Sequence, residues 1–436
     1  MIDLLQLKGV NPIGQRIEDD ILLILAESNV SEPESCSGCG SKPVYKHGKR
    51  THVYADTPMH GMPVKVEIER QRYRCQSCGT VIVPNIPSLD EKRVVTKRLI
   101  EFVQARCFNN TFTLLANETG LAVNTIKAIA LDYTEDLETS VYRETPRLLG
   151  LDEVMISGGY RAVMVNLEMN TLFDIHDNRK LASMRQYFEK LKDKDNIEWV
   201  CADMWEPYKV LISEQIPQAK LVIDRFHVVR MASNAMEQIR KKLQSELSHS
   251  ERLKVKKNIR WSLLKGSKSK SEYDHEVVEY IRENYPELAL AYDLKETFFN
   301  IYEFPDRASG EAAYKEWKDA IPLKFSPEFN TVIKIVDSHY EDIFNYFDCP
   351  ITNGYTEAMN GVMKAANRMG RGYSYEVIRA KLLFSKIARQ SGSVIVQPYS
   401  DRPSHLKEAS PKEKSFRDYG ASILTLDTMS ERGELD

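Results

Sequence analysis

Arg147-Leu-Leu-Gly-Leu-Asp152-Glu-Val is an apolar run with two acids, about a third of the way along a 436-residue chain. It opens a set of three consecutive predicted strands, which cover 147–155, 160–167 and 171–175. Gly158-Gly159 lies between the first two and is expected to turn one into the next. The run therefore predicts the first strand of an antiparallel sheet.

Downstream of these strands the pattern alternates between helix and strand. A helix is predicted at about 180–192, a fourth strand ends at Asp203, and a fifth strand lies in Lys220-Leu-Val-Ile-Asp-Arg-Phe-His. Three antiparallel strands followed by alternating helix and strand is the order of an RNase H-like domain. In that order Asp152 lies on the first strand and Asp203 at the end of the fourth.

Three acidic residues form the candidate catalytic and metal-binding set: Asp152, Asp203 and Glu357, the last at the start of a helical pattern. Carboxylates of this kind can hold two divalent cations that activate an oxygen nucleophile and stabilise the leaving oxygen of a phosphodiester. Oxygen ligands suit Mg²⁺ or Mn²⁺ rather than zinc. The alternative is that such residues end strands because solvent begins there. Asp224 is a rival second ligand, although the fourth strand favours Asp203.

The helix that begins near 354 carries a polar stripe. Asn353, Glu357, Asn360 and Lys364 follow steps of four, three and four, so they share one helix face. A carboxylate two turns from an ammonium suits a metal ligand beside a DNA phosphate, which makes Asn360 and Lys364 candidate DNA contacts. A solvated amphipathic helix is the alternative.

Charge is segregated along the chain, although the formal net charge is only −3. Residues 36–98 hold twelve Lys or Arg against five acids, residues 238–270 hold eleven against two, and residues 361–390 hold seven against one. Basic segments of this kind predict a polyanion partner, here double-stranded DNA. No export signal is evident and no apolar run reaches 18 residues, so neither a membrane partner nor a membrane span is expected.

Two cysteine pairs predict one structural zinc site. Cys36-Ser-Gly-Cys39 and Cys75-Gln-Ser-Cys78 are each followed by glycine, and alternating apolar and polar residues between the pairs predict strands. Four thiolates give a closed tetrahedral Zn²⁺ site, typical of a zinc ribbon. Free thiols are the alternative.

Residues 111–132 match helix-turn-helix spacing, with Gly120 in the turn. Asn124, Thr125 and Lys127 would then face the major groove of DNA from the start of the second helix. A generic helical hairpin is the alternative.

The predicted fold class is multidomain α+β. In chain order we expect a helical segment (1–30), a zinc-ribbon DNA-binding domain (31–90), a helix-turn-helix domain (91–142), the first part of an RNase H-like α/β catalytic domain (146–230), an all-α insertion (231–345), the second part of the catalytic domain (346–395) and a flexible tail (396–436).

This order of domains resembles the DDE transposases of bacterial insertion sequences, and most closely the ISL-three family. The blocks that carry the resemblance are Leu149-Gly-Leu-Asp152-Glu-Val, Ala202-Asp203-Met, Asp224-Arg-Phe-His227 and Thr352-Asn-Gly-Tyr-Thr-Glu357-Ala-Met-Asn360. The resemblance spans about residues 30 to 390. One departure is Ala358, where the family often has glycine.

The resemblance implies that Asp152, Asp203 and Glu357 are the metal-binding triad and that Lys364 is the basic residue that follows the glutamate. It also implies that Asp224-x-x-His227 is the Asp/Cys-x-x-His signature of related transposases. Asp224 then has a supporting role, and His227 is a candidate DNA contact. A core histidine at the end of a strand is the alternative for His227.

The predicted function is transposition: binding of terminal inverted repeats, hydrolytic nicking to give 3′-hydroxyl ends, and strand transfer into target DNA. Two Mg²⁺ or Mn²⁺ per active site and one structural Zn²⁺ are expected. Two DNA ends must be handled together, which predicts a homodimer or larger synaptic complex in the bacterial cytoplasm, associated with the nucleoid. The rival hypothesis is a non-catalytic DNA-binding regulator derived from a transposase, and the presence of all three carboxylates disfavours it.

Overall fold

The computed structural model describes residues 5–42, 44–140, 143–247, 258–266, 270–370 and 372–385. The predicted flexible tail (396–436) lies outside these residues, as does part of the basic segment 238–270. The described residues form two compact units, one made of residues up to 140 together with 370–385, the other of residues 143–369. Among them, no helix is both long enough and apolar enough to cross a bilayer.

The first unit is built on a seven-stranded sheet. Its strands are β1 (Val10–Glu18), β2 (Ile21–Ser28), β3 (Val44–Met59), β4 (Met62–Cys75), β5 (Val81–Ile82), β6 (Leu89–Asp90) and β7 (Val95–Thr96). The order is β1-β2-β4-β3-β7-β6, with β5 paired to β4. Alternate residues of β4 (Val64, Val66 and Ile68) are fully buried, so one face of the sheet covers the apolar core of this unit.

The prediction of a helical segment at 1–30 is wrong, because residues 10–28 form the β1–β2 hairpin. Asp19 and Asp20 both have positive φ, as a two-residue type I′ hairpin turn requires. Strand β2 also pairs in parallel with β4, for example Leu22 with Val64. The apolar run of β2 is equally compatible with a buried helix. It forms a strand because it pairs with a strand some 40 residues away.

Three helices follow this sheet: α1 (Lys97–Arg106), α2 (Phe112–Thr119) and α3 (Val123–Ser140). Gly120 ends α2 with φ +70°, a conformation that favours glycine. Leu115, Ile126 and Ile129 are buried between α2 and α3, whereas Leu121 is only half-buried. The two helices and the turn therefore lie where the sequence predicts them.

The second unit contains a five-stranded sheet made of β8 (Leu148–Ile156), β9 (Gly159–Asn166), β10 (Thr171–His176), β11 (Trp199–Ala202) and β12 (Lys220–Ile223). The order is β10-β9-β8-β11-β12, and β11 is parallel to both of its neighbours. Helices α4 (Leu181–Lys190) and α5 (Glu206–Gln215) connect β10 to β11 and β11 to β12. The first four strands lie within a few residues of their predicted positions. The fifth, predicted over 220–227, ends at Ile223, because Asp224 caps the helix that begins at Arg225.

In the described part of the second unit, eight α-helices follow the sheet: α6 (Arg225–Glu246), α7 (Asn258–Leu264), α8 (Glu272–Asn284), α9 (Pro286–Asn300), α10 (Arg307–Asp319), α11 (Ser326–Ser338), α12 (Tyr340–Phe344) and α13 (Gly354–Gly370). In the described part of 225–369 no strand occurs. Helix α6 runs without a break through 230, where the insertion was predicted to begin. Buried Trp317 and Phe329 belong to the same apolar cluster as Leu151, so these helices extend the core of the sheet.

The last described helix is α14 (Tyr375–Phe384), which belongs to the first unit. Arg379 pairs with Glu138 of α3, and the Lys381 ammonium donates to the carbonyl oxygens of Cys107 and Asn110. The sequence had placed this helix in the second part of the catalytic domain (346–395). In the structure the helix belongs to the first unit instead, because the buried side chains of α14 pack on the helices of that unit.

Candidate active site

Asp152 lies on β8, and Asp203 directly follows the neighbouring parallel strand β11. Strands β8 and β11 pair Gly150 with Cys201, and the two aspartates are each two residues further along. Both side chains are half-buried. Asp203 Oδ1 accepts a hydrogen bond from the backbone N–H of Trp205 at 3.0 Å, which fixes the carboxylate at the end of its strand.

Burial raises the pKa of Asp152 to about 6, with a lowering contribution from the Glu153 amide and raising contributions from the Glu153 and Asp203 carboxylates. A carboxyl group in an apolar setting beside other carboxylates resists ionisation until a cation compensates the charge. This is the electrostatic setting expected of a ligand for a divalent cation.

The raised pKa predicts pH-dependent metal binding. Protonated Asp152 cannot ligate a cation, so Mn²⁺ affinity should fall about tenfold per pH unit below about pH 6 and level off above it. Titration with Mn²⁺ followed by electron paramagnetic resonance between about pH 5 and pH 8 measures this. The Asp152→Asn variant should bind weakly with a flatter profile. An unchanged affinity in the wild type across this range would contradict the prediction.

Helix α13 is attached to strand β8 by its amide side chains. Asn353 donates to the carbonyl oxygen of Leu151 at 3.1 Å, and Asn360 donates to Asp152 Oδ2 at 2.8 Å. Asn360 is buried, although the sequence suggested that it contacts DNA. Its position favours orientation of the Asp152 carboxylate, a role that the sequence reasoning missed.

Gly150 explains how the helix comes so close to the strand. A Cβ atom at this position would lie 2.8 Å from Thr356 Oγ1 of α13 and 2.5 Å from a methyl group of Val165. Only glycine leaves room for both neighbours. The sequence shows Gly150 inside an apolar strand run, and a glycine in a strand is the signal that could have predicted this close approach.

Asp224, His227 and Glu357 form a second group next to the first. One ligand atom from each lies within 4.8 Å of the others. Asp224 caps the N-terminus of α6, His227 lies in the first turn of α6, and Glu357 lies in the first turn of α13. Two carboxylates and an imidazole form a donor set that can hold a divalent cation.

The charges in this second group interact. Burial and then the Asp224 carboxylate raise the pKa of Glu357, whereas His227 and Arg230 act to lower it. Burial likewise raises the pKa of Asp224, opposed first by His227. His227 also acts on Asp152, so its electrostatic effect extends to both acidic groups.

Glu153, the acid next to Asp152, is held by contacts of its own and is not placed as a metal ligand. Its carboxylate pairs with Arg179 and accepts a hydrogen bond from the Tyr208 hydroxyl at 3.1 Å. Arg179 in turn lies over the ring of Tyr160, 4.0 Å from its centroid. The neighbouring acids therefore have different surroundings, which the sequence alone does not distinguish.

The remaining predicted contacts occupy exposed or half-buried positions. Lys364 is exposed on α13, two turns beyond Glu357. Asn124 is exposed at the start of α3, and Thr125 and Lys127 are half-buried there.

The four cysteines come together in the first unit. Cys36 Sγ lies 3.6 Å from Cys78 Sγ, and Cys39 Sγ lies 3.7 Å from Cys75 Sγ, with all four within 4.8 Å of one another. Hydrogen bonding to Thr80 lowers the pKa of Cys78 to about 6, which favours the thiolate that a metal requires. The arrangement fits one tetrahedral Zn²⁺.

Comparison with known proteins identifies a zinc-ribbon family in the first unit and transposases as relatives of the chain. The zinc-finger model of the transposases of IS204, IS1001, IS1096 and IS1165 matches residues 32–78, which contain all four cysteines. The chain is 24% identical over 371 residues to the transposase for insertion sequence element IS1001 of Bordetella parapertussis, covering 81% of this chain and 89% of the relative. It is 21% identical over 366 residues to the transposase for insertion sequence element IS1557 of Mycobacterium tuberculosis, covering 78% and 82%.

The model of the ISL3 (ISL-three) transposase family matches residues 149–382, more than half of the chain. The matched range contains Asp152, Asp203, Asp224, His227 and Glu357. The chain therefore belongs to the ISL-three family of DDE transposases, enzymes that cleave DNA and transfer its strands.

Proposed function

We propose that this transposase cleaves the ends of its element with two Mg²⁺ or Mn²⁺ ions held by Asp152, Asp203 and Glu357 in an RNase H-like domain. The main support is that Asp152 and Asp203 lie side by side on parallel strands, while the helix that carries Glu357 is bonded to the same strand as Asp152. The sheet order agrees with that domain type, with the first strand β8 central, the antiparallel hairpin β9–β10 on one side and the parallel strands β11 and β12 on the other.

The residues of the site have different proposed roles. When bound, a pair of divalent cations activates the attacking oxygen and stabilises the leaving oxygen. Asp152 and Asp203 supply ligands from the sheet, Glu357 supplies one from α13, and Asn360 orients Asp152. Asp224 and His227 support Glu357 from the first turn of α6, and Asp224 is the alternative to Asp203 as a ligand.

The experiment that tests the proposal uses a plasmid with a DNA segment between the element's own inverted repeats. Purified protein with Mg²⁺ should nick at the repeat ends, leave 3′-hydroxyl groups and join them to target DNA. Binding of the ends without nicking, in Mg²⁺ and in Mn²⁺, would favour the non-catalytic regulator instead.

We also propose that α2 and α3 form a helix-turn-helix that reads the terminal repeats. Asn124→Ala should change the preference among repeat sequences, because an amide can make paired hydrogen bonds to adenine. Lys127→Ala should weaken binding to all sequences alike, since a lysine contacts phosphate mainly as a charge. Binding of the two variants to a panel of mutated repeats measures both effects, and the same preference in both variants would contradict the assignment.

Lys364 is proposed to hold a DNA phosphate beside the acidic groups. It lies seven residues beyond Glu357, about 10 Å along the helix axis. Lys364→Ala should weaken the cleavage complex and reduce the slope of its salt dependence by about one. Lys364→Arg should keep most activity, and the control is Lys315→Ala, which changes an exposed lysine on α10. If the Lys364→Ala variant cleaves at the wild-type rate across a salt series, Lys364 is a solvated lysine that does not contact DNA.

A further inference from the structure

Three asparagines follow one another at intervals of seven residues along α13: Asn353, which directly precedes the helix, Asn360 and Asn367. Residues seven apart lie almost on one line along a helix, so the three amides form a single row, the asparagine row. The first two members donate to β8, and Asn360 also lies 3.4 Å from the carbonyl oxygen of Glu153. Asn367 Oδ1 accepts a hydrogen bond at 3.1 Å from the backbone N–H of Ser157, in the turn after β8.

The asparagine row matches the strand in length. A helix rises about 21 Å over the fourteen residues from Asn353 to Asn367. A strand extends about 20 Å over the six residues from Leu151 to Ser157. The contacts also occur in the same order along both elements. Helix α13 therefore runs alongside β8 and is bonded to it at three points spread over the length of the helix.

Apolar packing by itself defines the register of α13 on β8 only weakly. The buried apolar side chains of the helix are those of Met359 and Met363. Methionine is unbranched and adapts to irregular space, so it fits more than one position along a strand. A buried amide is costly to leave unpaired, and a buried asparagine can fix the register of packed elements at some cost in stability. The asparagine row therefore carries most of the information that sets the register.

The amides at the two ends of the row have opposite roles. The fully buried Thr356 hydroxyl donates to Asn353 Oδ1 at 3.0 Å, so the NH₂ group of Asn353 is turned to the strand and donates there. At Asn367 the amide oxygen is the group that meets the strand, and it accepts. An aspartate has the oxygen but not the NH₂ group. It can therefore replace Asn367 in its bond but cannot replace Asn353.

We propose that the asparagine row positions Glu357 for DNA cleavage and that Asn367 is its remote positioning residue. Asn367 lies ten residues beyond Glu357, about 15 Å along the helix axis, so it acts on the reaction only through the placement of the helix. Without its bond, α13 shifts along β8 and the Glu357 carboxylate moves relative to Asp152 and Asp203. The inference rests on the proposed function, because it takes Glu357 as a ligand of the catalytic cations.

The test substitutes Asn367 in the full-length protein. Asn367→Leu has a similar volume but no acceptor, so the cleavage rate at saturating DNA and the Mn²⁺ affinity should each fall about tenfold. Binding of the DNA end should change less than about twofold. Asn367→Asp keeps an oxygen for the Ser157 N–H and should recover most of the rate and the affinity. Electron paramagnetic resonance measures Mn²⁺ binding, and circular dichroism shows whether each variant is folded at the assay temperature.

Two further variants keep the test decisive. Asn367→Ala removes the same acceptor with a smaller side chain and answers the question if Asn367→Leu does not fold. Asn234→Leu makes the same change at an exposed asparagine on α6 and should keep the rate and the Mn²⁺ affinity of the wild type.

The outcomes separate the positioning role from the proposed function. If the folded Asn367→Leu and Asn367→Ala proteins cleave and bind Mn²⁺ like the wild type, the positioning role is wrong and the proposed function stands. The role is also wrong if cleavage is lost without Mn²⁺ affinity, if Asn367→Asp recovers neither, or if the loss only follows the unfolded fraction. A wild-type protein that cleaves no DNA end overturns both proposals.

Discussion

Amide substitution at Asp152, Asp203 or Glu357 is expected to lower Mg²⁺-dependent cleavage of a DNA end by at least about a thousandfold. The factor corresponds to a loss of about 4 kcal/mol of transition-state stabilisation, the scale expected when a ligand of a catalytic cation is removed. Binding of the same end should change by less than about threefold, because we place recognition mainly in the zinc ribbon and α3. Cleavage and binding are measured on one labelled DNA end, and Glu276→Gln, an exposed acid on α8, is the control.

The same experiment decides between Asp203 and Asp224. Asp224→Asn should reduce cleavage less than Asp203→Asn if Asp224 only supports Glu357 through His227. If Asp203→Asn protein nicks at the normal rate and Asp224→Asn protein does not, the second ligand is Asp224. The two aspartates are alternatives because each lies beside one member of the triad. Asp203 is level with Asp152 on the neighbouring strand, whereas Asp224 is grouped with Glu357.

Cys36→Ser and Cys75→Ser are each expected to lose the zinc, which should be present at about one ion per chain in the wild type. The binding free energy of a structural zinc, about 10–16 kcal/mol in small zinc domains, is also folding free energy of the ribbon. We therefore expect these variants to lose binding of DNA ends.

Elemental analysis and DNA binding of the purified variants measure both effects. Cys349→Ser is the control, since Cys349 belongs to the second unit and is not one of the four clustered cysteines. If zinc-free protein still folds and binds the ends, zinc is not required for folding or DNA binding by the first unit.

The sequence predicted much of the second unit because its signals are local. Three strands before α4, strands ending at Asp203 and Asp224, and a helix from 354 all lie close to their predicted places. Apolar periodicity and turn residues determine such elements within a few residues of themselves. The match to the ISL-three transposase family and the zinc-ribbon match confirm the resemblance. The sequence blocks that carry it are also short and lie in order along the chain. The metal triad and the DNA contacts remain predictions.

The hairpin at 10–28 and the place of α14 depended on partners distant in sequence. The apolar run of β2 forms a strand because β4 offers it an edge, and α14 joins the first unit because Lys381 and Arg379 find partners there. Pairing with a distant segment does not change the apolar pattern of the segment itself, so that pattern cannot predict it.

Spacing along the chain is enough to predict the residue types that carry the chemistry: acids at strand ends, a polar helix face and two cysteine pairs. How these residues are grouped depends on the folded protein. Gly150 lets α13 pack close to β8, so Asn360 is buried against Asp152 while Glu357 meets Asp224 and His227. Close packing between a helix and a strand some 200 residues apart selects the neighbours of each side chain, and helical spacing alone does not contain that information.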